Sequence, residues 1–271
     1  MNGRMSKTKD ASIMVMSGTK DAYDIIKRLS QLNKFKILAT TTTEYGAKIA
    51  KDSGADEVIE GGLDQEEMEQ VLKNNDIKTV VDATHPFASN ATKNAINAAH
   101  KEKVTYIRFE RPKLKKMKNK HIYTAKSFEE AVKIVLGLLE SSSGDEKIMH
   151  LAGVSNLEYI LKKIDRKKVY VRVLPVLDSI NKCLDLGLSQ ENIIAMQGTF
   201  SKEFNMALMK EYGVSLMITK ESGLTGGTPS KISAALELGL DVVIIERPEI
   251  GGLSEEKVFN DINHLVNHLI K

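Results

Sequence analysis

Residues 13–42, "IMVMSGTKDAYDIIKRLSQLNKFKILATTT", contain the pattern that predicts the fold. Ile13 to Met16 is a short apolar run, as expected for a buried strand. Beyond Gly18, apolar side chains recur on one face of a helix at Ala22, Ile25, Ile26, Leu29 and Leu32. A second strand, "KILATT", follows from Lys36. A strand, a helix and another strand form a βαβ unit, which favours a parallel sheet.

The same alternation continues outward from this unit. The first half also predicts strands "DEVIEGG", "KTVVDA" and "VTYIRFE", with helices over 44–53, 64–75 (Asp64 as N-cap) and 86–101. The second half predicts strands "KIMHLAG", "KVYVRVLP", "NIIAMQG", "VSLMITK" and "DVVIIERP" and helices over 127–140, 156–163, 201–212, 229–238 and 254–270.

The basic stretch "RPKLKKMKNKH", residues 111–121, interrupts this alternation and is the best linker candidate. We therefore expect an N-terminal α/β domain over 12–112 and a C-terminal α/β domain over 121–271. The predicted fold class is α/β: two Rossmann-like, doubly wound lobes with mainly parallel sheets and a cleft between them. Ligands of such sheets bind beyond the carboxyl ends of the strands.

Composition excludes several classes of function. The 271 residues carry a net charge of only +3, so nothing indicates nucleic acid binding. Cys183 is the only cysteine, which excludes an internal disulfide and a cysteine-based zinc site, and we expect no metal site. No apolar run approaches the ~20 residues that span a bilayer, and the polar residues 1–12 do not resemble a signal peptide. We expect a cytoplasmic protein that does not associate with membranes.

Two strand ends in the first half are candidates for binding a dinucleotide. The turn Ser17, Gly18, Thr19 joins a strand to a helix, the geometry that presents backbone N–H groups to a phosphate. It has one glycine instead of G-x-G-x-x-G, and a simple tight turn is an equally good interpretation. The second strand ends in Thr40, Thr41 and Thr42, where a dinucleotide fold reads the adenosine ribose, although threonine also suits strands and caps.

A third candidate follows the fourth strand. Asp82, Thr84 and His85 occupy the loop at its carboxyl end, and Pro86 suits the first turn of the next helix. These side chains are expected to face a ligand. The alternative is local, since short polar side chains also satisfy loop and helix N–H groups.

These residues resemble the signature of the precorrin-6A reductase family of cobalamin biosynthesis. The resemblance rests on "DATHPFA" (82–88) with "IRFERP" (107–112), and on "SGTKDA" (17–22), "LAGVSNLEYI" (151–160), "VRVLP" (171–175), "MQGTFSKEFNMALMKEYGVSLMITKESG" (196–223) and "KISAALELGLDVVIIERP" (231–248). Ser17 stands where the family usually has a second glycine. Leu151, Ala152, Asn205 and Met206 also depart from the family pattern.

The resemblance implies a two-lobed enzyme that uses NADPH or NADH to reduce the C18–C19 double bond of precorrin-6A, or of its cobalt complex, to the 6B form. Hydride would come from the nicotinamide, and His85, oriented by Asp82, is a candidate proton donor beside ordered water. We expect a monomer whose partner is this small tetrapyrrole.

The tetrapyrrole carries acetate and propionate groups, which cations at strand ends would bind. The expected cations are Arg108, Arg111, Arg172, Lys220, Lys231 and Arg247. The glycine-rich stretch 220–232 adds Ser222 and Gly223 as a possible anion cradle before a helix. For any one of these cations a surface ion pair is the simpler use, and a surface loop is the simpler role of the stretch.

Two rival functions share these patterns. A regulatory module would bind the dinucleotide without catalysis, but it leaves the cations of the second half unexplained. A methyltransferase would bind S-adenosylmethionine at the same turn, but threonines replace the acidic residue that it needs after the second strand.

Overall fold

A computed structural model describes residues 11–114, 117–141, 145–223 and 226–271. The predicted polar leader lies almost wholly outside these ranges. Parts of the predicted linker (115–116), of the loop at 141–146 (142–144) and of the glycine-rich stretch (224–225) also lie outside the described residues.

Strands and helices alternate along the whole described chain. The first part contains β1 (Ala11–Met16), α1 (Lys20–Ser30), β2 (Phe35–Thr41), α2 (Glu44–Asp52), β3 (Glu57–Glu60), α3 (Gln65–Asn74), β4 (Ile77–Asp82), α4 (Ser89–Lys101) and β5 (Thr105–Phe109). The middle part contains β6 (Ile122–Ala125), α5 (Phe128–Glu140), β7 (Ile148–His150), α6 (Leu157–Leu161), β8 (Val169–Val173), α7 (Leu177–Asp185), β9 (Ile193–Ala195), α8 (Lys202–Glu211), β10 (Leu216–Lys220), α9 (Thr228–Glu237) and β11 (Asp241–Ile245). The chain ends with β12 (Lys257–Phe259) and α10 (Ile262–Leu269).

Of the described residues, the first unit comprises 11–111 and 249–271. Its six-stranded parallel sheet has the order β3-β2-β1-β4-β5-β12. This is the 3-2-1-4-5-6 order of the dinucleotide-binding Rossmann fold, with the end of the chain supplying the sixth strand.

The expected domain 121–271 is corrected at its end by this pairing. β12 lies beside β5, with Val258 opposite Arg108, and the last helix contributes Leu265 and Val266 to the core around Ile25 and Leu29. The predicted helix over 254–270 is correspondingly too long, because Lys257–Phe259 form a strand. The sequence showed that α10 has an apolar face, but it did not show which sheet that face packs against.

The second unit comprises residues 112–248 and has its own six-stranded parallel sheet, ordered β9-β8-β7-β10-β11-β6. Counted from β7, its strands repeat the 3-2-1-4-5 order of the first unit. The sixth position is taken by β6, which precedes β7 in the chain. Neither β6 nor α7 was predicted from the sequence.

The helices begin where the local sequence supplies caps. Thr19 accepts a hydrogen bond from Ala22 N at the start of α1, and Ala22, Ile25, Ile26 and Leu29 on its inner face are fully buried. Asp64 and Glu67 form a reciprocal capping box on α3, which confirms Asp64 as N-cap. These caps fix the points at which each strand gives way to its helix, and so they position the strand-end loops.

Candidate active site

The turn after β1 is tied to both neighbouring strands. Ser17 Oγ donates to the carbonyl of Thr40 at 2.8 Å, and Thr19 Oγ1 donates to the carbonyl of Ala83 at 2.8 Å. Between them Gly18 has a φ of +103°, a conformation that favours glycine, and no heavy atom lies within 4 Å of the position that its Cβ would occupy. The backbone of the turn therefore faces open space at the amino end of α1, where an anionic group can approach.

A pocket of about 170 Å³ lies at the carboxyl ends of β1, β2 and β3. Its lining comprises Met16, Ser17, Thr40, Thr41, Thr42, Gly61, Gly62, Leu63, Met68, Thr84, Asn90, Ala91 and Asn94. None of these lining residues is acidic or basic. The structure thus brings the predicted residues Ser17, Thr40, Thr41 and Thr42 together with Thr84 around one small, hydroxyl-rich cavity.

Asp82 is fully buried, and its carboxylate is enclosed by donors from three segments. Oδ1 accepts from Thr84 N (3.0 Å), Thr84 Oγ1 (2.7 Å) and Arg108 Nη1 (2.6 Å). Oδ2 accepts from Thr92 Oγ1 (2.7 Å) and Tyr106 OH (2.8 Å). Burial alone would raise the pKa of Asp82, but the Arg108 charge and these hydrogen bonds outweigh it and hold the pKa below its usual value.

This environment changes the expected role of Asp82. Its side chain has no exposed surface, and the hydrogen bonds of its carboxylate go to other neighbouring groups and not to the His85 imidazole. Asp82 instead fixes the start of the loop through Thr84.

His85 is partly exposed on this loop. Its Nδ1 accepts from Phe87 N at 3.2 Å, so a neutral ring carries its proton on Nε2. The carbonyl of His85 accepts from Ala88 N at 2.8 Å, which closes a turn around Pro86. The prediction that Pro86 opens the helix is wrong: proline occupies the second position of a β-turn, and α4 begins at Ser89.

Two of the expected substrate-binding arginines are engaged inside the first unit. Arg108 is 1% exposed and serves as counter-charge to Asp82. Arg111 pairs through Nε with the carboxylate of Asp21, in the first turn of α1. Each arginine thus pairs with a carboxylate of its own unit, because a buried carboxylate needs a partner that compensates its lost hydration.

Three of the cations that were predicted to bind the substrate lie at the carboxyl edge of the second sheet and are largely buried: Arg172, Lys220 and Lys231. Burial lowers the pKa of Lys220 to about 8 and that of Arg172 to about 10. The pKa of Lys231 falls to about 8, through burial first and then through the charge of Arg172. These lysines are therefore cations held in a poorly hydrated environment, where an anion is favourable.

The loop after β10 is internally braced. Ser222 Oγ lies 2.8 Å from Thr228 Oγ1, and Gly223 N donates to Glu221 Oε1 at 3.0 Å. Glu221 also pairs with Arg247 Nε, so Arg247, like Arg108, serves a carboxylate of its own unit. Ser222 and Gly223 thus shape the loop beside Lys220.

Several residues of these sites were missed from the sequence. One of them is Tyr106, which lies two positions before the predicted Arg108 on the same face of β5, and Asp82 stands opposite Arg108 in the β4–β5 register. That alternation was the available signal for the buried network. Asn205, whose Oδ1 accepts from Arg172 at 3.2 Å, and Phe200, whose ring lies 5.0 Å from the Arg172 guanidinium carbon, carried no such signal.

The strand order of the first unit, with its glycine turn after the first strand, defines an α/β protein with a Rossmann-type sheet. Residues 12–270 match the model of the family described as precorrin-6x reductase CbiJ/CobK. The chain belongs to this family, which confirms the resemblance seen in the sequence. It is accordingly a reductase, and membership of this family implies a nicotinamide cofactor in general.

Comparisons with individual proteins agree with this assignment. The chain is 45% identical over 96% of its length to a cobalt-precorrin-6A reductase of Methanothermobacter thermautotrophicus, covering 84% of that protein. It is 39% identical over 95% of its length to a cobalt-precorrin-6A reductase of Methanocaldococcus jannaschii, covering 98% of that protein. A solved structure, CobK precorrin-6A reductase, superposes with a TM-score of 0.76 over 96% of both chains at 18% identity, which supports the fold.

Within the described ranges, no helix is both long enough and apolar enough to cross a membrane.

Proposed function

We propose that this chain reduces the C18–C19 double bond of cobalt-precorrin-6A to give the 6B form in cobalamin biosynthesis. The observation that carries the proposal is the family match over residues 12–270, with relatives at 45% and 39% identity named for this reaction. Those names favour the cobalt complex over metal-free precorrin-6A as substrate.

The first unit is proposed to hold the cofactor, NADPH or NADH. The open space above Gly18 and the hydroxyls around the pocket fit a dinucleotide: the pyrophosphate would lie on the turn 17–19 and the adenosine ribose near Thr40, Thr41 and Thr42. A bound dihydronicotinamide supplies hydride. No acidic residue lines the pocket at the end of β2. The pocket is therefore compatible with an adenosine ribose that carries either a 2′-hydroxyl, as in NADH, or a 2′-phosphate, as in NADPH.

Reduction adds a hydride to one carbon and a proton to its neighbour, while the cofactor is oxidised. His85 is the proposed proton donor, because its side chain is partly exposed and its Nδ1 accepts from Phe87 N, which places the proton of a neutral ring on Nε2. Thr84 lines the pocket beside it, and the buried Asp82–Arg108 pair holds their loop in place. Asp82 and Arg108 are thus positioning residues.

Arg172, Lys220 and Lys231 are the proposed substrate-binding residues, with Ser222 and Gly223 shaping the loop that follows β10. The proposal does not include three other cations that the sequence predicted, because each of them pairs with a carboxylate of its own unit: Arg108, Arg111 and Arg247.

The test is an absorbance assay at the dihydronicotinamide band, with cobalt-precorrin-6A, metal-free precorrin-6A or no substrate, and each cofactor in turn. We expect oxidation of the cofactor only when a precorrin-6A is present, and faster with the cobalt form. Tight cofactor binding without turnover would favour the regulatory module, and transfer of a methyl group from S-adenosylmethionine would favour the methyltransferase.

A further inference from the structure

The order of the second sheet reverses at β7 and β10. From β7 the chain passes through α6 to β8 on one side, and from β10 it passes through α9 to β11 on the other side. The segments after β7 and β10 therefore leave in opposite directions, which in open α/β sheets creates a crevice where ligands bind. In the first unit the equivalent position, between β1 and β4, carries the turn of Gly18 and the loop of His85. The turn after β7 is thus a candidate ligand contact.

Gly153 lies in this turn and leaves its backbone open. Its φ is +77°, a conformation that favours glycine, and no heavy atom of the described residues lies within 4 Å of the position that its Cβ would occupy. Gly18, in the equivalent turn of the first unit, has the same two properties. A glycine in such a place lets another molecule come directly against the backbone, which a side chain would prevent.

A fully buried histidine holds the turn. His150 is the last residue of β7, and its Nε2 donates to the carbonyl of Gly153 at 3.0 Å. Burial lowers the pKa of His150 to about 4, so the ring is neutral at pH 7 and carries its proton on Nε2. Its neighbours in the sheet register are Val171 and Ile218, and among the described residues its Nδ1 has no hydrogen-bond partner. A leucine would fill this apolar position without an unpaired acceptor, so what the histidine adds is the hydrogen bond to Gly153.

We propose that the ring system of the tetrapyrrole packs against the backbone at Gly153, and that His150 is the positioning residue that holds this turn in place. The inference rests on the proposed function. The macrocycle suits the turn because a broad ring system needs a surface from which no side chain projects. The pyrophosphate of the cofactor suits it less, since α6, the helix that follows, has only five residues and presents a short dipole to an anion.

The experiment compares Gly153→Ala with the control Gly239→Ala. Gly239 has a φ of +71° and equally open surroundings, but it lies between α9 and β11, at the opposite edge of the same sheet. Both variants carry the same backbone strain, so their Tm values should fall alike. Binding of uroporphyrin III, a stable tetrapyrrole, is measured by fluorescence, and binding of NADPH and NADH separately. We expect Gly153→Ala alone to weaken uroporphyrin binding and to raise the KM for cobalt-precorrin-6A, each by about tenfold or more, with unchanged cofactor binding.

Two variants of His150 test its positioning role. His150→Leu removes the donor to Gly153 and should raise the KM for cobalt-precorrin-6A, while His150→Gln, which keeps a donor, should recover part of the loss. A lowered Tm in His150→Leu with an unchanged KM overturns this role. If His150→Leu does not fold, the two glycine variants decide the contact by themselves.

Equal uroporphyrin binding in Gly153→Ala and Gly239→Ala overturns the contact, and so does weaker binding of the cofactor alone in Gly153→Ala. If Gly153→Ala weakens uroporphyrin binding but the wild-type protein does not reduce cobalt-precorrin-6A, the proposed reaction fails while the contact stands.

Discussion

The residues at the strand ends of the first unit form two groups. One group faces solvent, where a ligand could bind, and the other is buried and fixes the position of the first. Gly18 and His85 belong to the first group, and Asp82 and Arg108 to the second. The sequence identified all four positions, because polar residues and glycine at strand ends are unusual against apolar strands. It did not separate the two groups, since burial depends on the β4–β5 pairing.

Gly18→Ala tests the cofactor turn. The added methyl group would project into the open space above the turn and meet the pyrophosphate, so we expect the cofactor dissociation constant to rise by tenfold or more. A φ of +103° also strains alanine, which lowers the Tm by a few degrees. Gly239→Ala is the matched control, with a φ of +71° and equally open surroundings in the second unit. Equal cofactor affinity in both variants would remove the turn from the cofactor site.

We expect His85→Ala to lower mainly the rate of reduction and Asp82→Asn to lower mainly the stability of the fold. Removing the imidazole costs one local hydrogen bond, about 1 kcal/mol of stability. It should lower kcat for hydride transfer at saturating cofactor by tenfold or more, on the order of 1.4 kcal/mol of transition-state stabilisation. Asp82→Asn leaves Arg108 buried without its counter-charge, which should cost about 3–5 kcal/mol of unfolding free energy.

Single-turnover kinetics and chemical denaturation measure the two quantities separately. A normal rate in His85→Ala would contradict the role of His85 as proton donor and would point to water as the donor. An unaltered denaturation midpoint in Asp82→Asn would contradict the positioning role of Asp82.

At the scale of elements, the sequence predicted most strands and helices but misassigned the last segment. Helical and strand periodicities are local, so the βαβ pattern could be recognised along the chain. The pairing of β12 with β5 joins segments about 150 residues apart, and β12 has only three residues, too few to show an alternation. Pro86 was misplaced for a related reason, because proline suits both a β-turn and a helix start.

Leu265→Ala tests whether α10 belongs to the first unit. Leu265 is fully buried in the core that includes Ile25 and Leu29 of α1, so truncation should cost about 2–5 kcal/mol of unfolding free energy. His264→Ala, at the exposed neighbouring position, should change it by about 0.5 kcal/mol or less. Hydrogen exchange should show the loss of protection in α1 as well as in α10. Loss confined to residues 112–248 would contradict the assignment.

At the scale of the whole molecule, the two units share one strand order and differ in what their strand ends carry. After β1 the first unit has a glycine turn capped onto an eleven-residue helix, which suits a pyrophosphate. After β7 the second unit leads into a helix of only five residues, and its charged groups are instead Arg172, Lys220 and Lys231. The sixth strand of the sheet comes from the end of the chain in the first unit, as β12, and precedes the other five strands in the second unit, as β6.

Hydride transfer from a nicotinamide to the tetrapyrrole is measured most directly by following an isotope from the cofactor into the product. Wild-type protein is given cobalt-precorrin-6A and a dihydronicotinamide carrying deuterium at the transferable C4 position, and the product is analysed by mass spectrometry and NMR. We expect one deuterium per product molecule, bound at C18 or C19, with the second new hydrogen derived from solvent. A product without deuterium, or recovery of unreduced cobalt-precorrin-6A with either cofactor, would contradict the account.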